Sequence, residues 1–190
     1  MRLITFLSVV TLLAILHETL ERESSHARTD PITGAANARA FYEAAEVEIS
    51  KLKRYGRPFT VLYLDVDDLK RINDVNGHAA GDRALAASVS TLRRSVRAGD
   101  TVARLGGDEF AVLLAEADPA AAIIASQRVQ SALRQNVGNQ QPVTYSIGVL
   151  TCIAAPVSVD TLIDLADNLM YEAKRDGKDA TRLAVFEGAA

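Results

Sequence analysis

The apolar residues of the chain recur with helical and strand periods, which divide it into alternating elements. Helical spacing begins with Phe41, Ala45, Ile49 and Leu52, and the pattern stops at the Gly-Arg-Pro turn of residues 56–58. The spacing therefore predicts a long helix that leads into the first strand of a domain.

The segment that follows, Phe59–Val66, is almost wholly apolar and rich in residues that favour strands. Such a composition is typical of a strand covered on both faces. The run stops abruptly at Asp65, Asp67 and Asp68. Because charged side chains are rarely buried without a partner, the acids mark the end of the strand.

The rest of the chain continues the alternation. The same periods predict a short helix at 69–73, a long helix at 85–96, strands at 101–105 and 109–115 joined by Gly-Gly, a helix at 119–135, a strand at 143–151, a helix at 162–173 and a strand at 182–186. The order β-α-α-β-β-α-β over residues 59–151 is completed by the helix at 162–173 and the strand at 182–186. With its helical crossovers and one hairpin, it predicts an α/β (α+β) fold. Helices would surround a mixed sheet of about five strands, as in the ferredoxin-like arrangement.

An apolar segment at the start of the chain forms a separate unit, residues 1–28, ahead of a domain at 29–190. Residues 3–16 are shorter than the roughly 20 residues of a membrane-spanning helix, and extending the run to 3–20 adds His17 and Glu18. Three interpretations stay open. The segment is a membrane anchor at 3–20, a helix that pairs two copies of the chain, or a secretion signal.

Chain length and net charge limit the classes of function that the protein can have. A chain of 190 residues with 48% hydrophobic residues suffices for one packed domain. Its formal charge of −3 argues against a general surface for a nucleic-acid polymer, so any nucleotide would be bound locally. The single cysteine, Cys152, cannot form an internal disulfide, which fits the reducing cytoplasm.

Two acidic clusters come at predicted strand ends, and together they favour a metal site. Asp65 and Asp67 end one strand, while Asp108 and Glu109 follow the glycine turn. Carboxylates from neighbouring strands can converge on a hard cation such as Mg²⁺, which prefers oxygen ligands. Taken singly, each acid has a simpler interpretation: Asp67 or Asp68 caps the short helix, and Asp108 is an ordinary turn residue.

The sequence Gly-Gly-Asp-Glu-Phe at residues 106–110 resembles the signature of the GGDEF diguanylate cyclase family. Further blocks of that family follow in the right order, so the resemblance covers about residues 29 to 185; they lie at 30–34, 65–70, 73–82 and 171–174. The chain departs from the family pattern at Ala35, Ala38, Leu69 and in having Lys178-Asp179 where Arg-Asn is usual. A lysine keeps the positive charge but loses the two-pronged phosphate contact of arginine.

The resemblance implies a nucleotidyl-cyclase palm that joins two GTP molecules into cyclic di-GMP and releases two pyrophosphates. By that resemblance, two Mg²⁺ or Mn²⁺ ions per active site are held by Asp65, the backbone carbonyl of Val66, Asp108 and Glu109. Asp108 and Glu109 are the implied catalytic residues, and Glu109 helps activate the attacking hydroxyl. Because one domain holds one GTP, the resemblance also implies a homodimer.

The resemblance assigns the remaining candidate residues to substrate and product. Guanine would be read by Asn73 and Asp82, whereas the phosphates would be bound by Lys70, Lys174, Lys178 and the backbone of Gly106 and Gly107. Bound cyclic di-GMP would inhibit at Arg97, Asp100 and Arg128. The runner-up function is a catalytically weak domain that acts as a receptor for GTP or cyclic di-GMP. The expected location is the cytoplasm, at the face of the inner membrane if residues 3–20 are an anchor.

Overall fold

The computed structural model describes residues 28–135 and 143–188, which form a mixed sheet with helices on both faces. The strands of the described part are β1 Ala36–Asn37, β2 Phe59–Val66, β3 Thr101–Gly106, β4 Glu109–Leu114, β5 Tyr145–Cys152 and β6 Thr181–Phe186. Its helices are α1 Ala38–Tyr55, α2 Leu69–Asn76, α3 His78–Ser95, α4 Pro119–Gln135 and α5 Val159–Arg175. The predicted α/β fold is confirmed.

The strand order β1-β3-β4-β2-β5-β6 places β2 inside the sheet. β2 is antiparallel to both of its neighbours, β4 and β5, whereas β1 pairs with β3 and β6 with β5 in parallel. The sequence predicted about five strands and missed β1. Its two residues are too short to show a period, and the strand is defined only by its pairing with β3.

The core lies in two layers, one on each face of the sheet. On one face α1 and α5 bury Phe41, Leu52 and Leu162, and on the other α3 and α4 bury Leu92 and Leu133. All eight residues of β2 are buried. The sequence of the strand is almost entirely apolar because helices cover both of its faces.

α5 lies unusually close to β5. A Cβ atom built on Gly148 of β5 would stand 2.2 Å from the carbonyl oxygen of Ala166 and 2.5 Å from the backbone nitrogen of Met170. Only glycine therefore allows this approach. The contact fixes α5, which carries Lys174, against the sheet.

The predicted N-terminal helix, with its anchoring, dimerising and secretory interpretations, lies outside the described residues. Across 28–135 and 143–188, none of the helices is both long enough and apolar enough to pass through a bilayer.

Candidate active site at the end of the central strand

The two predicted acidic clusters meet at one end of the sheet. In the β2–β4 ladder, Asp65 is the direct partner of Glu109, and the N–H of Val66 donates to the carbonyl oxygen of Asp108 at 3.1 Å. Side chains of directly opposed residues in an antiparallel pair lie on the same face. The carboxylates of Asp65 and Glu109 therefore share one face, and the turn that carries Asp108 is bonded to the end of β2.

Negative charge predominates at this partly buried site. Asp65 is 6% exposed, and burial raises its pKa to about 6. The negative charges of Asp108 and Glu109 contribute to this rise in pKa, whereas the Lys174 ammonium, 2.8 Å from Asp65 Oδ2, opposes it. Burial and the charge of Glu109 also hold the pKa of Tyr63 well above its usual range. A bound cation would relieve this accumulation of charge.

The donor set suits a hard cation, although the side chains do not form a closed cage. Within residues 28–135 and 143–188, no three His, Cys, Asp or Glu side chains are grouped closely enough to hold a metal ion. The carboxylates of Asp65, Asp108 and Glu109 and the carbonyl of Val66 offer only oxygen atoms, which Mg²⁺ and Mn²⁺ prefer. The fit therefore lies in donor chemistry and in the accumulated negative charge at Asp65.

Asp67 has a structural role in this arrangement. Its buried carboxylate accepts hydrogen bonds from Thr144 Oγ1 at 2.7 Å, Ser146 Oγ at 2.8 Å and the N–H of Asp179 at 3.1 Å. Asp68 occupies the N-cap position of α2, as one of the simpler interpretations has it, but its carboxylate makes no capping hydrogen bond. Asp68 instead accepts a hydrogen bond from Lys178 Nζ at 2.7 Å.

The glycine turn between β3 and β4 is held by an arginine that the sequence did not single out. Arg104 donates from Nε and Nη2 to the carbonyl oxygen of Gly107, at 3.0 and 2.6 Å, and Gly107 has a φ of +42°. The same guanidinium donates to Asp30 Oδ1 at 3.2 Å, in an ion pair whose side chains are 10% and 16% exposed. Asp30 opens the 30–34 motif, so this motif and the glycine turn are joined through one side chain.

The predicted guanine-reading pair lies where α2 meets α3. Asn73 Oδ1 is buried and has no hydrogen-bond partner, and it lies so close to Gly81 that a Cβ atom there would be 2.0 Å away. Asp82, the next residue, is exposed. The structure thus provides one buried free acceptor beside one solvent-facing carboxylate.

Two of the three predicted phosphate-binding lysines lie at the acidic end of β2. Lys174 contacts Asp65, and Lys178 contacts Asp68. Lys70 is exposed on α2. Lys174 and Lys178 are therefore placed beside the candidate site in this conformation.

The three predicted inhibitory residues come together away from this site, at the opposite end of β3. Asp100 accepts hydrogen bonds from the backbone of Arg97 at 2.8 Å and of Ala115 at 3.3 Å. Arg128 donates from Nε to the carbonyl oxygen of Ser95 at 2.6 Å. Arg97, Asp100 and Arg128 line one pocket of about 120 Å³.

Comparison with known proteins finds the same sequence pattern over most of the chain. The family described as "Diguanylate cyclase, GGDEF domain" matches residues 27–180. Diguanylate cyclase DgcP of Pseudomonas aeruginosa is 35% identical over 176 residues, which are 88% of this chain and 26% of DgcP. Diguanylate cyclase DosC of Escherichia coli is 32% identical over 182 residues, which are 93% of this chain and 39% of DosC. The chain thus spans well under half the length of these relatives.

A solved structure shares the fold. The crystal structure of diguanylate cyclase SiaD from Pseudomonas aeruginosa, in complex with its activator SiaC, superposes with a TM-score of 0.78 at 28% identity. The match covers 96% of this chain and 74% of SiaD.

Proposed function

This chain belongs to the family of GGDEF-domain diguanylate cyclases, and from that membership we propose that it condenses two GTP molecules into cyclic di-GMP and two pyrophosphates. One observation carries the proposal. Asp65 is directly opposite Glu109, and the turn that carries Asp108 is hydrogen-bonded to the end of β2, so the three acids come to the same end of the sheet. Metal-assisted phosphoryl transfer uses protein carboxylates of this kind to hold its cations, and this supports the proposal.

In the proposed reaction, the 3′-hydroxyl of each GTP attacks the α-phosphate of the other. A bond forms between the 3′-oxygen and the α-phosphorus, the bond from that phosphorus to pyrophosphate breaks, and the hydroxyl proton passes to the Glu109 carboxylate. We assign Glu109 to the activation of that hydroxyl, with Asp108 beside it. Two Mg²⁺ or Mn²⁺ ions, held by Asp65, the Val66 carbonyl, Asp108 and Glu109, would supply positive charge to the α-phosphate and the departing pyrophosphate when bound.

The remaining residues would hold and orient GTP. Asn73 Oδ1, buried and without a partner, is suited to accept a hydrogen bond from guanine, and Asp82 offers a second acceptor. Lys174 and Lys178 would exchange their carboxylate contacts for the triphosphate, and Lys70 would add a third charge. Backbone N–H groups at Gly106 and Gly107 can approach phosphate because no side chain obstructs them.

Assembly and regulation form part of the same proposal. Since each domain holds one GTP, two copies must face each other, and residues 1–28 would pair them or anchor them to a membrane ahead of a domain at 29–190. Cyclic di-GMP would inhibit by binding at Arg97, Asp100 and Arg128. We place the domain in the cytoplasm, in keeping with the unpaired, buried Cys152.

The test is the nucleotide product profile of the purified chain with Mg²⁺ and GTP, ATP or both. We expect cyclic di-GMP from GTP, no cyclic product from ATP, and a rate per molecule that rises with protein concentration. If no cyclic product forms at high protein concentration while cyclic di-GMP still binds, the receptor function replaces the enzymatic one. Calorimetric titration of GTP with and without Mg²⁺ then shows whether the acids at the end of β2 take part in binding.

A further inference from the structure

The turn between α5 and β6 has an unusual backbone. Three consecutive residues have positive φ: Gly177 at +111°, Lys178 at +66° and Asp179 at +47°. Glycine adopts such angles freely, but lysine and aspartate do so at a cost in free energy. Residues stay in this region only when surrounding contacts hold them there. The contacts that hold this turn are therefore important for its shape.

Asp179 is the residue through which the turn is held. Its N–H donates to the buried carboxylate of Asp67 at 3.1 Å. Its side chain and its backbone both accept from Arg134 of α4, with Nε 2.9 Å from Oδ1 and Nη2 2.8 Å from the carbonyl oxygen. Gln130, one helical turn earlier, donates to the same carbonyl oxygen at 3.2 Å. Asp179 thus connects α4 to the end of β2.

The turn carries a side chain that we assign to the substrate. Lys178 precedes Asp179, and its Nζ lies 2.7 Å from Asp68, three residues beyond Asp65. Gly177 and Lys178 also close the end of α5 by donating to the carbonyl oxygens of Lys174 and Ala173. A change at Asp179 would therefore alter the position of Lys178 relative to the acids at the end of β2.

We infer that Arg134, through Asp179, is a positioning residue that holds Lys178 where it can bind the phosphates of GTP. This inference rests on the proposed function. Arg134 contacts both a carboxylate and a carbonyl oxygen of a strained residue, and that residue is fixed on its other side by a buried acid. A surface ion pair of this exposure, 50% and 38%, adds little stability by itself. Its effect is expected in the geometry of the turn.

The experiment compares Arg134→Gln with Arg57→Gln. Arg57 pairs with Glu116 in a similarly exposed contact elsewhere, so its replacement removes an equivalent surface charge. We expect Arg134→Gln to raise KM for GTP about two- to fivefold with kcat within about twofold of wild type, the range for one partly exposed charged contact. Arg134→Lys should recover part of the loss, because lysine keeps the charge but not the two-pronged contact.

A second readout does not need turnover. Amide hydrogen exchange should become faster at residues 177–180 in Arg134→Gln, while the amides of β2 stay as slow as in wild type. Arg57→Gln should leave both regions unchanged. Wild-type KM or wild-type exchange at the turn in Arg134→Gln would overturn the inference, and so would an equal KM change in Arg57→Gln. If the wild-type chain makes no cyclic di-GMP, the proposed function fails, whereas unchanged exchange at the turn refutes the role of Arg134 independently.

Discussion

The ion pair between Asp30 and Arg104 yields a quantitative prediction for Asp30→Asn. Asp30 Oδ1 accepts from the N–H of Thr33 at 2.8 Å and from its hydroxyl at 2.6 Å, as well as from Arg104. Asparagine keeps one acceptor oxygen for Thr33 but removes the charge. Arg104 would then remain 10% exposed without its counter-ion while still bonded to Gly107.

We expect this substitution to cost about 2 kcal/mol of the free energy of unfolding at pH 7, the usual value of a hydrogen bond to a charged, poorly solvated group. Burial acts to raise the pKa of Asp30, but the hydrogen bonds from Thr33 and Arg104 outweigh it and hold the pKa below its usual value. A lowered pKa in the folded state stabilises the fold above the unfolded pKa of about 3.9. That stabilisation is lost as pH falls through the folded value. The difference between wild type and Asp30→Asn should therefore shrink below about pH 4.

The assay is urea unfolding of both proteins from pH 7 down to the lowest pH at which wild type stays folded. Asp164→Asn, which neutralises an exposed acid on α5, serves as the control and should stay within about 0.5 kcal/mol of wild type. Equal midpoints for wild type and Asp30→Asn at pH 7 would refute the reasoning. A difference that stayed constant through the acid range would show that the charge of Asp30 is not its source.

Three further predictions follow from single contacts. Glu109→Ala should abolish cyclic di-GMP formation, while the free energy of unfolding stays within about 0.5 kcal/mol of the wild-type value. Retained turnover would show that Glu109 takes no part in the reaction. Arg97→Ala should shift the inhibition curve for added cyclic di-GMP to higher concentration, and an unshifted curve would reduce Arg97 to surface charge. Gly148→Ala should destabilise the fold by about 3 kcal/mol in urea unfolding, because its Cβ would stand 2.2 Å from the Ala166 carbonyl oxygen. Gly99→Ala, where a Cβ meets nothing within 4 Å, is the matched control and should unfold like wild type.

Much of the fold could be predicted because its elements carry strong local patterns. The central strand was predicted at the bounds observed, Phe59–Val66, since burial on both faces leaves a run of apolar residues that no turn interrupts. α4 was likewise predicted at Pro119–Gln135, where a proline begins the helical pattern. The acidic end of the sheet could be located because β2 ends in acids and a second acidic pair follows the glycine turn of the β3–β4 hairpin.

The contacts that support the site could not be predicted, because they join residues distant in sequence. Arg104 and Asp30 are 74 positions apart, and they meet because the short strand β1 places the opening motif beside β3. Arg134 and Asp179 are 45 positions apart, and no period relates them. The sequence showed Lys178-Asp179 only as a departure from the family, whereas the structure shows that Asp179 has an arginine partner on α4.

The location of β2 has a consequence for control of the enzyme we propose. Asp65 lies near the end of a strand that is hydrogen-bonded along both sides, so a signal that displaced the backbone of this residue would have to break a ladder of the sheet. Such a deformation costs as much as partial unfolding. A switch of low energy must therefore leave the backbone of β2 in place, and act on how substrate-bearing copies meet or on the turns around this end of the sheet.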